Sequence, residues 1–250
     1  MHITTPEHEF PSTLSLPADE VHLWRIDLQA AAMDDSAWQD LLSEDEEKRA
    51  RQFRSSVDRC YFTAVRGSLR RILAAYLSTD PKGLAFSYSE KGKPSLGKGN
   101  SAKGVQFNVS HSGGAALLAF TLHRAIGVDI ERIRADVEVD KIAGRFFSNR
   151  EQEQLQQMIP GSRVRGFFQC WTRKEAYIKA TGAGLSLPLG QFDVSIDSGQ
   201  QNCLLATRPD SQEAQRWKLI DVPAGNGFAA ALCVLGSAWT LREWSTTTSL

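Results

Sequence analysis

Two acidic residues separated by one position are the first candidates for chemistry in this chain. Asp129 and Glu131 lie in the stretch IGVDIERI, whose alternation of apolar and polar residues predicts a β-strand. Successive side chains of a strand point to opposite faces, so the two carboxylates share one face and Ile126, Val128 and Ile130 share the other. Taken alone, this pattern is more typical of ordinary surface acids on a solvent-facing strand.

A helix further along the chain contains a third carboxylate. In GFFQCWTRKEAYIKATG the spacing predicts a helix on which Glu175 and Lys179, four residues apart, point the same way. The simplest interpretation is a surface ion pair. The alternative is that Glu175 joins Asp129 and Glu131 in an oxygen-rich site for Mg²⁺, which binds few protein carboxylates and completes its shell with water and phosphate oxygens.

The segment FNVSHSGGAALLAF places Ser110, His111 and Ser112 before two glycines, between two apolar runs. Hydroxyls and backbone N–H groups beside glycine suit a phosphate, and His111 would add a donor. Two alternatives are a tight hairpin with a structural histidine and the nucleophile of a serine hydrolase. We reject the hydrolase because the segment has no G-x-S-x-G elbow.

These residues need strands and helices to position them, and the patterns predict both. Strands are predicted in VHLWRIDL, VQFNVSHS, GAALLAFTL, AIGVDIERI, QFDVSI, RWKLIDV and GFAAALCVL. Helices are predicted in SEDEEKRARQF, in DRCYFTAVRGSLRRILAAYL, in the region 138–157 and over 166–180. Residues 1–17 are predicted to be irregular, and SEKGKPSLGKGNSAKG to be a loop with a short extended piece around Pro94.

Composition limits the classes of protein to consider. With 250 residues, of which 42% are hydrophobic, the chain can bury one large core or two small ones. The 29 basic and 29 acidic residues cancel, so no global field favours nucleic acid or a membrane surface as a partner. The four cysteines lack C-x-x-C spacing and are predicted to be reduced core residues. No signal peptide or spanning segment is recognisable, and we expect a cytoplasmic protein.

Several motifs together resemble one family. The segments GKP, FNVSHSGG, IGVDIERI, RFFSNREQEQL and WTRKEAYIKATGAGLSLPL occur in the order and approximate spacing of the 4′-phosphopantetheinyl transferases, specifically the long surfactin-synthetase-activating type. The resemblance runs from about Ser43 to Val194. It implies an α+β fold of two similar halves related by a pseudo-twofold axis, with the active site at their junction. The expected halves are residues 1–124, on the side of the CoA adenine and 3′-phosphate, and residues 125–250, with the metal site and the docking surface for the carrier protein.

The resemblance also implies a reaction. Such a holo-carrier-protein synthase transfers the 4′-phosphopantetheine of coenzyme A to a serine of an apo acyl or peptidyl carrier protein and releases adenosine 3′,5′-bisphosphate. Carriers of fatty acid, polyketide or nonribosomal peptide biosynthesis are all candidates, the cation would be Mg²⁺ or Mn²⁺, and the enzyme would be a monomer. Two alternatives remain, a Mg²⁺-dependent hydrolase of CoA or nucleotide diphosphates and a non-catalytic module that binds carrier proteins.

Site residues follow from the matched motifs. Asp129, Glu131 and Glu175 match the metal ligands, Glu175 is the preferred base with Glu131 as runner-up, and Lys179 matches a lysine that contacts CoA phosphate. The positions around the adenine and 3′-phosphate are matched by Lys93, Pro94, Ser110 and His111.

The upstream helix and the carrier-docking segment are less well defined by the resemblance. The family's upstream helix supplies basic side chains to CoA, for which Arg59 is the best placed of Lys48, Arg49, Arg54, Arg59 and Arg66. Glu46 occupies a position where a relative has lysine. Phe146 and Phe147 are expected either to contact the carrier protein or to belong to the core.

Overall fold

The structure is a computed structural model that describes residues 2–4, 12–32, 35–97, 99, 103–196, 202–208 and 210–246. This part of the chain mixes helices and sheets, which confirms the expected α+β class. The chain forms two compact units. One contains Met1–Gln106, Gly114–His123 and Thr240–Leu250, and the other contains Phe107–Gly113 and Arg124–Trp239.

The regular elements have the following bounds. The strands are β1 (His2–Thr4), β2 (Glu20–Asp27), β3 (Phe86–Tyr88), β4 (Pro94–Leu96), β5 (Val105–Ser112), β6 (Ala115–Leu122), β7 (Ile126–Arg132), β8 (Phe192–Val194), β9 (Leu204–Thr207), β10 (Trp217–Asp221), β11 (Phe228–Leu235) and β12 (Thr240–Thr246). The α-helices are α1 (Leu28–Ala31), α2 (Asp35–Gln39), α3 (Glu44–Arg51), α4 (Ser56–Leu77), α5 (Val139–Phe146), α6 (Asn149–Gln157) and α7 (Pro160–Thr181).

In the first unit, the strands β1, β12, β2 and β6 lie side by side in that order. β12 is parallel to both β1 and β2, whereas β6 is antiparallel to β2. The prediction of a strand in VHLWRIDL is confirmed by β2. The prediction of an irregular segment over residues 1–17 is wrong at His2–Thr4, because β12, from the other end of the chain, supplies a pairing partner. Residues 1 and 5–11 of that segment lie outside the described residues.

The helices α3 and α4 of the first unit begin within two residues of their predicted starts, whereas the short helices α1 and α2 were not predicted. Ser43 forms a capping box with Glu46 at the start of α3, which satisfies backbone N–H groups that the first turn leaves free. Ser55 caps α4, and Ser78 ends it in a left-handed conformation with φ of 48°. Most side chains of α4 after its second turn are buried, so this helix provides much of the core of the unit.

The second unit contains a three-stranded sheet in the order β10, β11, β7, in which both pairs are antiparallel. The long helix α7 packs on β7 and β11, and apolar side chains of α7 and β11 belong to one hydrophobic core. α7 begins at Pro160, earlier than the predicted residue 166, because proline fits the first turn of a helix. The helical region predicted over 138–157 is divided into α5 and α6 by a capping box between Ser148 and Glu151.

Two further expectations concern the cysteines and membrane spans. All four cysteines are free thiols, and Cys170, Cys203 and Cys233 are buried, whereas Cys60 is only half-buried. Within the described ranges no helix combines the length and apolar character that crossing a bilayer requires.

Candidate active site

A glycine allows α7 to lie directly on β7. A Cβ atom built on Gly127 would come within 2.2 Å of the Ala176 carbonyl oxygen and 2.3 Å of the Ala180 backbone nitrogen. Any other residue at this position would push the helix away from the strand. Gly127 therefore fixes the approach of the helix turn that contains Glu175 and Lys179 to the strand that contains Asp129.

Side chains of β5 bind the backbone of β7 within the second unit. The side-chain oxygens of alternate residues on β5 accept hydrogen bonds from the N–H groups of alternate residues on β7. These bonds are Asn108 Oδ1 from Val128 (2.9 Å), Ser110 Oγ from Ile130 (3.3 Å) and Ser112 Oγ from Arg132 (3.1 Å). We call Asn108, Ser110 and Ser112 the side-chain ladder. Because both strands have a period of two, the ladder fixes which residue of β5 faces which residue of β7.

The two serines of the ladder also bind the two carboxylates of β7. Ser110 Oγ donates a hydrogen bond to Asp129 Oδ1 at 2.9 Å, and Ser112 Oγ donates to Glu131 Oε2 at 2.8 Å. From α7, Lys179 Nζ forms an ion pair with Asp129 Oδ1 at 2.6 Å and donates to Ser110 Oγ at 3.1 Å. Serine hydroxyls, carboxylates and an ammonium group therefore meet in one network.

This network lines an open cavity of about 400 Å³ inside the second unit. Its walls are formed by Val109, Ser110, His111, Asp129, Glu131, Trp171, Glu175 and Lys179. The predicted shared face of Asp129 and Glu131 and the predicted shared face of Glu175 and Lys179 thus open onto the same space.

Burial raises the pKa of all three carboxyl groups in the cavity. For Asp129, which is only 3% exposed, burial outweighs the Lys179 charge and the hydrogen bonds from Lys179 and Ser110. Burial and the negative charge of Asp129 raise the pKa of Glu131, against the hydrogen bond from Ser112. Burial and the charge of Asp129 raise the pKa of Glu175, and no hydrogen-bond donor among the described residues contacts its carboxylate.

The donor atoms of the cavity fit a small divalent cation. No three His, Cys, Asp or Glu side chains in the described part of the chain are arranged to hold a metal ion as they stand, and Lys179 occupies one oxygen of Asp129. However, Asp129 Oδ2 is buried and has no hydrogen-bond partner among the described residues. A buried carboxylate oxygen without a donor is costly, and Mg²⁺ prefers oxygen ligands of this kind. Asp129, Glu131 and Glu175 therefore have the chemistry of a magnesium site.

The two serines and the histidine of SHSGG lie within strand β5, in agreement with the strand predicted in VQFNVSHS. β5 continues through Ser112, and the turn to β6 consists of Gly113 and Gly114, whose φ values are 55° and 91°. Ser110 and Ser112 therefore project toward β7, while the exposed His111 lines the cavity. A Cβ atom on Gly113 would come within 2.4 Å of the Arg132 side chain, so this glycine also permits the close approach of β5 to β7.

The remaining predicted CoA residues belong to the first unit. Lys93 and Pro94 are half-buried at the start of β4, in the β3–β4 hairpin, and Arg59 is exposed near the start of α4. Of the other upstream basic candidates, Arg66 is buried and bound to Glu46. Glu46 itself is 5% exposed and also binds Arg70 Nε at 2.6 Å. Its carboxylate is therefore occupied by two arginine side chains of the same unit.

Sequence reasoning missed the role of Lys174, the residue before Glu175. Its side chain is fully buried, pairs with Glu151 at 2.8 Å, and donates to the carbonyl oxygens of Leu189 and Phe192. Lys174 thereby ties α7 to α6 and to the chain before and within β8, while its neighbour Glu175 faces the cavity.

Sequence reasoning also missed Asn108 and Gly127, and it considered the Ser112 hydroxyl for a phosphate rather than for the Glu131 carboxylate. Polar residues at every second position of an otherwise apolar strand were the available signal for the side-chain ladder.

Of the two phenylalanines considered for carrier binding, Phe147 is 4% exposed within the core, while Phe146 is half-buried with its ring 5.8 Å from that of Trp171.

Comparisons with known proteins match nearly the whole chain. Residues 125–233 match the family model "4′-phosphopantetheinyl transferase superfamily", and residues 32–123 match "4′-phosphopantetheinyl transferase, N-terminal". The chain is 39% identical to the 4′-phosphopantetheinyl transferase HetI of Nostoc sp., over 94% of this chain and 95% of that protein. It is 33% identical to the 4′-phosphopantetheinyl transferase Sfp of Bacillus subtilis, over 66% of this chain and 69% of that protein.

Proposed function

The chain belongs to the 4′-phosphopantetheinyl transferase family, and on that premise we propose how its cavity performs the transfer. The donor is coenzyme A and the acceptor is a serine hydroxyl of an apo acyl or peptidyl carrier protein. The products are the holo-carrier and adenosine 3′,5′-bisphosphate, and the reaction requires Mg²⁺. Action in the cytoplasm as a monomer remains a prediction.

One observation carries this proposal more than any other. Three carboxyl groups with raised pKa values, one of them with a buried unpartnered oxygen, share a cavity with Lys179. Carboxylates crowded together repel one another unless a cation joins them. A divalent cation beside Lys179 would neutralise the three carboxylates and could also bind the pyrophosphate of CoA.

Asp129, Glu131 and Glu175 would hold the cation. Mg²⁺, when bound, supplies positive charge to the phosphate oxygens of CoA during the transfer. Lys179 lies beside Asp129 and would contribute a second positive charge to the bisphosphate leaving group. The cation and Lys179 would thus stabilise the negative charge that develops as the bond between the two phosphates of CoA breaks.

Glu175 is the preferred base. The carrier serine must lose its proton as its oxygen attacks the β-phosphate of CoA, and a base with a pKa raised toward neutrality does this best. The pKa of Glu175 is raised by burial and by Asp129. In contrast to Asp129 and Glu131, which accept serine hydrogen bonds, its carboxylate is free to take a proton. Glu131 is the second candidate.

The motif resemblance assigns the nucleotide end of CoA to Ser110, His111, Lys93, Pro94 and Arg59. Support for this set comes from the motif resemblance and, for Ser110 and His111, from their place in the cavity wall. The Ser110 hydroxyl already donates to Asp129, so its main contribution would be to position that carboxylate. His111 is then the better candidate for a direct phosphate contact.

The test is a transfer assay with a panel of purified apo-carrier proteins. The protein is incubated with CoA and Mg²⁺, with and without EDTA, and each carrier is examined by mass spectrometry. We expect the carrier to gain the mass of one phosphopantetheine only when Mg²⁺ is present. CoA breakdown without any carrier would instead support a hydrolase, and activity undiminished by EDTA would contradict the magnesium site.

A further inference from the structure

The hydroxyl of Ser112, like that of Ser110, is oriented by one hydrogen bond that it accepts and one that it donates. Ser112 Oγ accepts the Arg132 N–H at 3.1 Å and donates to Glu131 Oε2 at 2.8 Å. A hydroxyl has one hydrogen to donate. The backbone donor occupies a lone pair of the oxygen, so the hydrogen is directed to the carboxylate.

Glu131 needs such a partner more than its neighbours do. Asp129 is nine-tenths or more buried and is held by both Ser110 and Lys179. Glu131 is only half-buried, on a long side chain that the charge of Asp129 repels. Its carboxylate also feels the positive charge of Arg134, an exposed residue that does not line the cavity. Without a fixed donor the carboxylate is free to leave the cavity wall.

We propose that Ser112 is a positioning residue that holds the Glu131 carboxylate on the cavity side, so that Glu131 is ready to bind the divalent cation. This inference rests on the proposed function, because it assigns Glu131 to the metal site. It separates the ladder into two parts, with Ser110 serving Asp129 and Ser112 serving Glu131. The side-chain oxygen of Asn108, the third member, accepts the backbone N–H of Val128, so its part in the proposal is limited to the register of the strands.

Ser112 is also a residue that can be changed without harm to the fold. Its bond to the Arg132 N–H is exposed to solvent, so water can replace the lost partner. Ser112→Ala removes the hydroxyl, and Ser112→Thr restores it on a side chain that suits a strand. Ser162→Ala is the matched control, since Ser162 Oγ donates to the Ile159 carbonyl oxygen at an exposed helix start in the same unit.

The experiment measures Mn²⁺ binding by titration calorimetry and single-turnover transfer for all four proteins, with thermal unfolding as a check on the fold. We expect Ser112→Ala to lower both Mn²⁺ affinity and the maximal transfer rate by about tenfold, the usual scale for losing a hydrogen bond to a metal ligand. The KM for CoA should change by less than about twofold, because removing a transition-state interaction affects kcat rather than KM. Ser112→Thr should recover both losses, and Ser162→Ala should match the wild type.

Ser112→Ala with wild-type affinity and rate would overturn the proposal, as would a loss that threonine does not rescue. If the wild type binds Mn²⁺ but modifies no carrier, the proposed function fails while the binding comparison still decides the role of Ser112. If the wild type transfers without measurable Mn²⁺ binding, the rates decide it. If it does neither, both proposals are wrong.

Discussion

Glu46 in the first unit and Asp129 in the second are both buried carboxylates, but their surroundings differ. Glu46 Oε1 binds the Arg66 guanidinium, and Oε2 binds Arg70 and the Ser43 N–H. Burial alone would raise the pKa of Glu46, but Arg66, Arg70 and Ser43 outweigh it, and the pKa is lowered. For Asp129 burial prevails and the pKa is raised, and no side chain or backbone group in the described part of the chain forms a hydrogen bond with Oδ2.

This difference separates a structural carboxylate from a functional one. The chain supplies Glu46 with all the positive charge it needs from α4, whereas it leaves Asp129 short of one donor beside two other acids. We therefore expect Glu46 to contribute to the free energy of folding, and we infer that Asp129 serves to bind a ligand.

Among the variants that test the difference between Glu46 and Asp129, we expect the largest effect from Asp129→Asn. We expect transfer to fall about a thousandfold, because several kcal/mol of charge stabilisation is lost with the metal ligand. The free energy of unfolding should change by less than about 1 kcal/mol, since burial disfavours the carboxylate that is removed. Transfer rate and urea denaturation measure the two quantities. A strong loss of stability would place Asp129 in the same class as Glu46.

Glu46→Gln should show the opposite effect. Removing this charge leaves Arg66 and Arg70 without their shared anion, and breaking a buried ion pair costs about 3 kcal/mol or more. The transfer rate per folded molecule, measured after correcting for the folded fraction, should equal that of the wild type. A change in the KM for CoA without a change in stability would instead mean that Glu46 belongs to the phosphate site.

Glu175→Gln sharpens the comparison within the cavity. The amide keeps the size and one ligand oxygen but cannot accept a proton, so kcat should fall about a hundredfold while CoA binding survives. Single-turnover transfer and CoA titration in the presence of Mg²⁺ measure the two effects. A wild-type rate would remove Glu175 as the base, and loss of CoA binding would reassign it as a metal ligand only.

His111→Ala should have a smaller effect, confined to the nucleotide. If His111 contacts the 3′-phosphate, its loss should raise the KM for CoA about tenfold, the value of a hydrogen bond to a charged group. The KM for dephospho-CoA, which lacks that phosphate, should hardly change. Equal losses with both substrates would make His111 a structural residue.

The smallest expected effect is on stability as a function of pH. The raised pKa of Asp129 makes its contribution fully favourable below its ordinary value of 3.8, and the contribution is lost as the pH rises through the raised value. The lowered pKa of Glu46 acts in the opposite sense. Its contribution is present above 4.5 and is lost as the pH falls through the lowered value. Relative to the wild type, Asp129→Asn should therefore gain stability as the pH rises, and Glu46→Gln should gain as it falls. Denaturation with EDTA between about pH 3 and 7 tests both slopes.

Local spacing was enough to predict much of the site. The period of a strand placed Asp129 and Glu131 on one face, and the period of a helix placed Glu175 beside Lys179. Spacing could not show that Glu46 meets Arg66 and Arg70, because they lie twenty or more residues further along the chain. The side-chain ladder was also hard to predict from the sequence, because serines in a strand more often face water than a neighbouring strand.

Strand β12 has a consequence for how the protein is made. It lies between β1 and β2, yet among the strands of the described residues it is translated last. Translation at about 5–20 residues per second leaves β2 with an open edge until Thr240–Thr246 emerge, while β11 has already completed the sheet of the second unit. Unpaired strand edges attract other chains. The first unit therefore completes its sheet only when Thr240–Thr246 have emerged, later than the second unit, and until then the open edge of β2 can pair with other chains.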